Sequence, residues 1–274
     1  MLPSFLLSLR EGLEATLIIG IVLGALRKFQ HTSLAPIVWS GTLTAAIISA
    51  IVAFFLNSLG ASLEGNAEMI FEGTTMLLAA SILTWMIFWM HRQSRYIKGE
   101  LEAGVRQATL RTGKKALFVL AMVAVLREGI ELALFLTAAT LTSSTQQTMI
   151  GALLGIGTAA LLGWVLFAST IRMNLGNFFQ ITGALLILFA AGLIAHSVHE
   201  FNELGWIPVV VEHVWDVNGV LSEQSTAGQI LNSLFGYNGN PSLTEIFAYL
   251  GYFAAIAIGL RRVTATSVAS TQEA

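Results

Sequence analysis

The stretch Arg127-Glu128-Gly129-Ile130-Glu131 lies in the middle of an apolar run from Ala116 to Leu141. The run is longer than the roughly 20 residues that a helix needs to cross a bilayer. Three ionisable side chains near its centre would therefore stand in hydrocarbon, where each costs at least about 2.5 kcal/mol. The same pattern returns as Arg10-Glu11-Gly12-Leu13-Glu14, inside another apolar run. Two copies of so costly a pattern indicate a functional site within a membrane.

The composition of the whole chain is that of a polytopic membrane protein. Of its 274 residues, 55% are hydrophobic and 11% are charged, whereas soluble domains carry about 25% charged residues. The chain has no cysteine, which excludes disulfide bonds, cysteine-ligated metal centres and a catalytic thiol. Residues 1–9 contain no Lys or Arg, unlike the basic start of a cleavable signal peptide, so we expect the first apolar run to be retained as a helix.

Seven apolar segments are long enough to be membrane spans. The predicted fold class is therefore an all-α polytopic membrane protein with seven transmembrane helices, in a single membrane domain of residues 1–274. The predicted spans are residues 4–26, 35–57, 69–91, 116–140, 148–170, 178–198 and 244–260.

The basic residues alternate between the connectors of these spans. Twelve of the 14 Lys and Arg residues lie in the connectors after spans 1, 3, 5 and 7, and the other two are Arg10 and Arg127. The connectors at 58–68, 141–147 and 199–243 contain none. The positive-inside rule then predicts a periplasmic N-terminus and a cytoplasmic C-terminus.

The spacing of the two motifs predicts an internal repeat. They begin at Arg10 and Arg127, which are 117 residues and three spans apart. Because three is an odd number, the second unit is inverted relative to the first. We therefore predict an inverted 3+3 repeat made of residues 1–91 and residues 116–198. Inverted repeats commonly place a substrate site near the midplane, where the two repeats meet.

Three further segments complete the predicted organisation. Residues 92–115 form a cytoplasmic connector, and residues 244–274 hold span 7 and a cytoplasmic tail. Residues 199–243 form an acidic periplasmic segment. Within it, residues 206–221 are apolar enough to lie on the membrane surface as a short helix.

Helical geometry gathers the charges of each motif on one side of its helix. Each residue advances by about 100°, so Glu14 lies about 40° and Glu11 about 100° from Arg10. Gly12 falls roughly opposite, where a neighbouring helix can approach. Each motif carries one positive and two negative charges, so two facing motifs carry −2 together, which matches a divalent cation. Glu72, at the start of span 3, would raise this to −3, either as a ligand or as a group on the access path.

The carboxylates are the candidate metal ligands, and the arginines balance their charge. Arginine stays protonated and can hold a carboxylate bidentately, so we expect each to fix one glutamate and leave the other to bind metal. Carboxylate oxygens suit Mg²⁺, Ca²⁺, Mn²⁺ or iron without choosing among them. The alternative is a purely structural Arg–Glu lock, which would be neutral rather than carry surplus charge. The candidate ligands are Glu11, Glu14, Glu128 and Glu131, beside Arg10 and Arg127.

Acidic and histidine side chains mark the predicted outer mouth of the protein. Glu64, Glu68 and Glu72 recur every four residues. They form either a cation funnel or a solvated helix start that the macrodipole favours. The outer end of span 6 carries further ligand types, which are either metal ligands on the access path or solvated interfacial groups. These are His196, His199 and Glu200.

The double motif resembles the oxidase-dependent iron permease family, and within it the bacterial ferrous iron permeases. The resemblance extends over nearly the whole chain. Ile130 stands where the family often has Leu, a change with no bearing on ligands. Besides the motifs, the stretches that carry the resemblance are Phe71–Gly73, Leu83–Met90, Ile171–Gly176 and Phe235–Tyr237.

The resemblance implies import of iron from the periplasm across a bacterial inner membrane. It implies that Glu11, Glu14, Glu128 and Glu131 carry the iron and that both motif arginines are required. It also implies two kinds of partner, a periplasmic iron-binding protein and a haem peroxidase or oxidase. Iron is then the transported substrate, and we expect no organic cofactor and no nucleic-acid partner.

Several alternatives remain open at this point. The cargo is Fe²⁺ if the site carries −2, or Fe³⁺ if Glu72 joins it. The same scaffold also suits a transporter of protons, sodium or another divalent ion, or a sensor that binds metal without moving it. An intramembrane di-iron enzyme is disfavoured, because its E-x-x-H pairing is absent from both motifs. The chain also contains no H-E-x-x-H, G-x-S-x-G or P-loop motif, so we do not expect an enzyme.

Overall fold

The computed structural model describes residues 1–93, 103–107, 113–168, 175–223 and 225–272. Most of the predicted connector 92–115 and residues 171–174 of the Ile171–Gly176 stretch lie outside the described residues. The described residues are mainly helical and contain no β-strand. The long helices are α1 (Leu2–Lys28), α2 (Ala35–Ser62), α3 (Asn66–Gln93), α4 (Lys114–Thr142), α5 (Thr145–Ala168), α6 (Leu175–Glu203), α7 (Thr226–Phe235) and α8 (Leu243–Gln272).

Each of the seven predicted spans contains one long helix, which is one of α1 to α6 or α8. Helices α1 and α4 are as long as the others, but each carries the three charges of its motif at mid-length. The prediction of an all-α membrane protein is confirmed, whereas the count of seven crossings stays a prediction. Five described stretches are long and apolar enough to cross a membrane: Thr32–Ser62, Asn66–Trp89, Thr145–Phe167, Asn177–Glu203 and Leu243–Arg261.

The predicted surface helix over residues 206–221 is wrong, because this stretch forms turns and bends without an α-helix. Pro208 has no amide N–H to donate, and the β-branched run Val209–Val211 lowers helix propensity further. The helix of this segment is α7. The Ser225 side chain caps its first turn. Gly236, with a φ of 65°, ends it in the left-handed conformation that glycine adopts without a steric penalty.

The chain divides into two compact units. Unit 1 comprises Met1–Ser62 and Gln93–Thr182, so it contains α1, α2, α4, α5 and the first two turns of α6. Unit 2 comprises Leu63–Arg92 and Gly183–Ala274, so it contains α3, the rest of α6, α7 and α8. Both charged motifs therefore lie in unit 1.

In unit 1, each motif helix packs against the helix that follows the other motif helix in the chain. Helix α1 packs against α5 and α2 packs against α4, while α1 and α4 also touch each other. A Cβ atom on Gly41 of α2 would meet the carbonyl oxygen of Phe118 in α4, and one on Gly151 of α5 would meet the carbonyl oxygen of Met1, the N-cap residue of α1. Gly41 lies 110 residues before Gly151, and Met1 lies 117 residues before Phe118. The two helix pairs thus make equivalent contacts at equivalent positions.

Candidate metal centre

Each motif arginine is bonded to the glutamate four residues later in its own helix. Arg10 Nε donates to Glu14 Oε1 at 3.2 Å, and Arg127 Nε donates to Glu131 Oε1 at 3.0 Å. Side chains at i and i+4 lie one above the other on a helix, whereas neighbours at i+1 diverge. These bonds therefore engage the second glutamate of each motif and leave the first one to other uses.

The two arginines differ in their surroundings. The Arg10 side chain is 2% exposed, whereas the Arg127 side chain is 39% exposed. The glutamates that they hold are both 12% exposed. The Arg10–Glu14 ion pair is thus enclosed by protein, whereas the Arg127 side of the Arg127–Glu131 pair is accessible.

The motif glycines fix how the charged sides of α1 and α4 are turned. A Cβ atom on Gly12 would lie 2.7 Å from the Ala159 Cβ in α5, and one on Gly129 would overlap the side chain of Ser49 in α2. Each glycine lies about 200° around the helix from its motif arginine. The close contacts with α5 and α2 therefore occupy the side of each motif helix opposite to its charges, as the sequence predicts for Gly12.

Carboxylates from the two motifs converge inside unit 1. Glu11, Glu128 and Glu131 each offer one oxygen, and these three oxygens all lie within 4.8 Å of one another. Glu11 is 1% exposed and Glu128 is 6% exposed. Among the described residues, these three side chains form the one group that could hold a metal ion with at least three ligands. It draws one member from α1 and two from α4.

Glu14 is the predicted ligand that the structure leaves outside this group of three. Its Oε1 accepts the bond from Arg10, and it lies within electrostatic range of Glu131 and Arg127. The four motif carboxylates therefore share one neighbourhood, but they are not equivalent within it.

Several oxygens of the converging group have no hydrogen-bond partner. They are both carboxylate oxygens of Glu11, Oε2 of Glu128 and Oε2 of Glu131, all of them buried. A buried carboxylate oxygen without a donor is strongly destabilising, because the charge has lost its water and gained nothing in return. A cation held between the three side chains would satisfy these oxygens at once. Hard carboxylate oxygens suit a divalent ion such as Fe²⁺, Mn²⁺ or Mg²⁺.

The charges near this group favour a divalent cation. The Arg10–Glu14 and Arg127–Glu131 pairs are each neutral, so Glu11 and Glu128 carry the surplus of −2. A divalent cation among these side chains would therefore meet both a matching charge and a set of oxygen ligands.

The acidic residues predicted for the outer mouth lie in unit 2. Glu64 is exposed just before α3, and Glu68 lies in the first turn of α3. Glu68, Glu72 and Glu200 lie within electrostatic range of one another. Glu72 thus belongs to an acidic group on α3 and α6 and not to the converging motif carboxylates of unit 1.

The two predicted histidines make protein contacts in unit 2. His199 Nδ1 lies 3.1 Å from Glu245 Oε1, and its Nε2 lies 3.3 Å from Glu203 Oε1. His196 Nδ1 lies 2.9 Å from the carbonyl oxygen of Gly192 in its own helix. Neither histidine belongs to the group of converging ligands found in the described residues.

Sequence reasoning missed Glu245, which is 4% exposed and receives several hydrogen bonds. Its Oε2 accepts from Asn238 Nδ2 at 2.8 Å, and its Oε1 accepts from the Ser242 hydroxyl at 2.9 Å. The backbone N–H of Glu245 in turn donates to Ser242 Oγ. Ser242-x-x-Glu245 is thus a capping box at the start of α8. That spacing before an apolar run was the signal that could have found it.

Comparison with known proteins finds iron permeases both among family profiles and among individual relatives. The profile of the iron permease FTR1 family matches residues 1–270. The ferrous iron permease EfeU of Escherichia coli O157:H7 is 36% identical over 254 residues, which cover 92% of each chain. The ferrous iron permease EfeU of Yersinia pestis is 33% identical over 255 residues, which cover 92% of this chain and 90% of that protein. No solved structure matches the chain.

Proposed function

The chain belongs to the iron permease FTR1 family, and from that premise we propose that it imports iron through the carboxylates of its two R-E-G-x-E motifs. The family is one of permeases and not of enzymes, and the apolar helices agree with a multi-pass protein of the inner membrane. The observation that carries the proposal is the convergence of Glu11, Glu128 and Glu131, with buried oxygens that lack partners. These residues come from both motifs, so one ion can touch both helices.

In the proposed mechanism, the carboxylates replace the water that iron loses on leaving solution. Glu11, Glu128 and Glu131 supply three oxygens within 4.8 Å of one another. Arg127 holds Glu131 in place, because the Nε–Oε1 bond fixes that carboxylate while its other oxygen stays available. Glu14, held by Arg10 beside this group, is the next carboxylate that the ion meets. Small shifts of α1 and α4 relative to their neighbours then open the site to one side of the membrane at a time.

The proposed cargo is Fe²⁺. The surplus charge of −2 near the site matches it, and the relatives named above are ferrous iron permeases. The interpretation with Fe³⁺ needed Glu72 as a further ligand, and Glu72 is not among the three residues whose oxygens converge. Moving two positive charges inward down 100 mV releases about 4.6 kcal/mol, which supports uptake without ATP.

The proposed topology has seven spans, a periplasmic N-terminus and a cytoplasmic C-terminus. The alternation of Lys and Arg between connectors supports that orientation. The equivalent contacts of α1 with α5 and of α4 with α2 support an inverted repeat. A periplasmic iron-binding protein and a haem peroxidase or oxidase remain proposed partners by resemblance.

The test is uptake of radiolabelled Fe²⁺ into proteoliposomes under anaerobic conditions, with an inside-negative potential. The proposal predicts uptake by the wild-type protein that slows and reaches a lower final level when the potential is removed. It also predicts that Glu128→Gln is inactive while it still reconstitutes as the wild-type does. Equal uptake of Mg²⁺ and Fe²⁺ would favour a general divalent transporter. Iron that binds the protein but never enters the vesicle would identify a sensor and refute the proposal.

A further inference from the structure

Helix α7 lies alongside α6 within unit 2 and runs in the opposite direction. Asn232 Nδ2 lies 3.4 Å from His196 Nε2. Four residues further along α7 and four residues back along α6, the backbones of Gly236 and Gly192 touch, since a Cβ on Gly192 would lie 2.6 Å from the Gly236 nitrogen. Four residues advance a helix by about 6 Å. The two contacts are therefore separated by the same distance along both helices, as in an antiparallel helix pair.

The contact with Gly192 places the end of α7 deep along α6. Gly192 lies 11 residues before Glu203, the last residue of α6, which is about 16 Å along the axis. It also lies two residues from the midpoint of the apolar stretch Asn177–Glu203. Helix α7 has 10 residues and is about 15 Å long, so it begins at the depth where α6 ends. It therefore reaches from the membrane surface to mid-depth.

After Gly236 the chain returns to the surface without forming a helix. Asn202 Nδ2 donates to Ser242 Oγ at 3.1 Å, and His199 bonds to Glu245. Ser242 is thus level with the end of α6, and α8 then descends from it. The six residues from Gly236 to Ser242 can span up to about 20 Å, which is enough for this return. The segment 225–242 is a hairpin with one helical and one extended arm.

The extended arm is polar, and its Tyr237, Asn238 and Asn240 are partly exposed, whereas Gly239 and Pro241 are buried. Its residues are Tyr237-Asn238-Gly239-Asn240-Pro241. Irregular backbone at membrane depth persists only where it is buried in protein or lines a water-filled cavity. Residues 175–260 contain no Lys or Arg, whereas they contain five Glu and one Asp. A pathway lined by one sign of charge concentrates the opposite ions.

We propose that the segment 225–242 is a re-entrant hairpin that lines a water-filled, cation-attracting access route, open to the side of the membrane on which α6 ends. The identity of the cation as iron rests on the proposed function, whereas water access and charge preference do not. Asn232, Tyr237 and Asn240 mark the route from mid-depth to the surface. The segment that the sequence assigns wholly to the periplasm is then part of the membrane domain.

The absence of cysteine from the chain permits a direct test. Single variants Asn232→Cys, Tyr237→Cys and Asn240→Cys are placed in lipid nanodiscs, where both membrane faces are open to reagent. The matched control is Leu250→Cys, which is 57% exposed on α8. It lies five residues beyond Glu245 and hence about 7.5 Å deeper, at a depth close to that of Asn232. All four variants are checked for a monodisperse elution and for a full thiol count in denaturant.

Two thiol reagents of similar size are compared, a trimethylammonium and a sulfonate methanethiosulfonate. We expect the cationic reagent to modify the three hairpin cysteines at least about tenfold faster than the anionic one. We expect neither to modify Leu250→Cys, because a thiol in hydrocarbon forms no thiolate. Unreactive hairpin cysteines, equal rates for both reagents, or a control that reacts as fast as the hairpin would overturn the proposal. Wild-type iron uptake is a separate measurement, so its absence beside the expected labelling would refute only the proposed function.

Discussion

At the scale of single residues, Glu11 and Glu128 carry the surplus charge of the site. Each follows its arginine directly, so the i,i+4 bond goes to Glu14 or Glu131 instead. Both carboxylates are buried, and both have an oxygen without a hydrogen-bond partner. In the proposed site, a divalent cation that binds these oxygens would relieve the cost of burying them without partners.

Replacing either surplus carboxylate by an amide should remove transport. In Glu11→Gln and Glu128→Gln we expect Fe²⁺ affinity to fall by more than about 100-fold, beyond the loss typical of residues that only orient a ligand. The measurement is anaerobic Fe²⁺ uptake at several iron concentrations. As a control, Glu64→Gln changes an exposed residue before α3 and should transport as the wild-type does. Wild-type affinity in both site variants would exclude these carboxylates as ligands.

The two glutamates that accept from arginines should also be required, Glu131 as a proposed ligand and Glu14 as the partner of Arg10. Glu14→Gln removes the negative charge of the carboxylate that accepts from Arg10 Nε, so less of the Arg10 positive charge is balanced and it repels iron more strongly. We expect uptake to be abolished in Glu14→Gln and Glu131→Gln, while both proteins still reach the membrane. Uptake at the wild-type rate in either variant would remove that residue from the pathway.

The arginines should not tolerate exchange for lysine. Lysine keeps the charge but is a point donor, so it cannot fix the carboxylate orientation as a guanidinium does. We expect Arg127→Lys to weaken Fe²⁺ uptake about 10- to 100-fold, the range seen when a group that orients a metal ligand is lost. Arg27→Lys, at an exposed position at the end of α1, is the control. Unimpaired uptake in Arg127→Lys would limit that arginine to charge balance.

Residue-level features differ in how far the sequence predicts them. The placement of each arginine and both glutamates on one helix face follows from the 3.6-residue period. The choice of Glu14 over Glu11 as the partner of Arg10 also follows from helix spacing. That Glu131 joins the three converging carboxylates while Glu14 does not depends on how α1 and α4 pack. No periodicity within one helix contains that information.

At the scale of helices, the motif glycines set the distance between each motif helix and its neighbour. A methyl group on Gly129 would overlap the Ser49 side chain in α2. We expect Gly129→Ala to destabilise the protein by about 1–3 kcal/mol, as overpacking of a close contact does. The same change should cost less in a Ser49→Gly background, because the overlapping atoms are then absent. Thermal unfolding of all three variants in detergent measures this coupling.

Gly24→Ala serves as the matched control for that experiment. It lies in α1, and a Cβ atom there would meet nothing within 4 Å. We expect it to be neutral or to stabilise the helix by up to about 1 kcal/mol, because alanine has the higher helix propensity. An equal loss of stability for Gly129→Ala with and without Ser49→Gly would contradict the proposed contact between α2 and α4.

The helices were predicted better than the segments that join them. Long apolar runs bounded by polar residues indicate spans, and a helix occurs at each of the seven predicted positions. The segment 199–243 has mixed composition, so its hydropathy does not reveal a helix at membrane depth. The insertion of α7 depends on a backbone contact between Gly192 and Gly236, which lie 44 residues apart. Such contacts are decided by tertiary packing.

At the scale of the whole molecule, the proposed inverted repeat would bring the two motifs to one cation. The contacts of Gly41 with Phe118 and of Gly151 with Met1 relate the halves by offsets of 110 and 117 residues. Equivalent contacts bring α1 and α4 together and turn their charged sides away from α5 and α2. Acidic side chains from distant parts of the sequence thereby converge within unit 1. This explains why one motif alone would not suffice.

Whether both motifs bind one shared ion is tested most directly by equilibrium binding of Fe²⁺ to the purified protein in nanodiscs under anaerobic conditions. The wild-type protein is compared with Glu11→Gln, Glu128→Gln and the double variant. The account predicts one high-affinity Fe²⁺ per chain, its loss in each single variant, and no further loss in the double variant. Two ions per chain, with each single variant losing only one of them, would show that the motifs bind separately and would contradict the account.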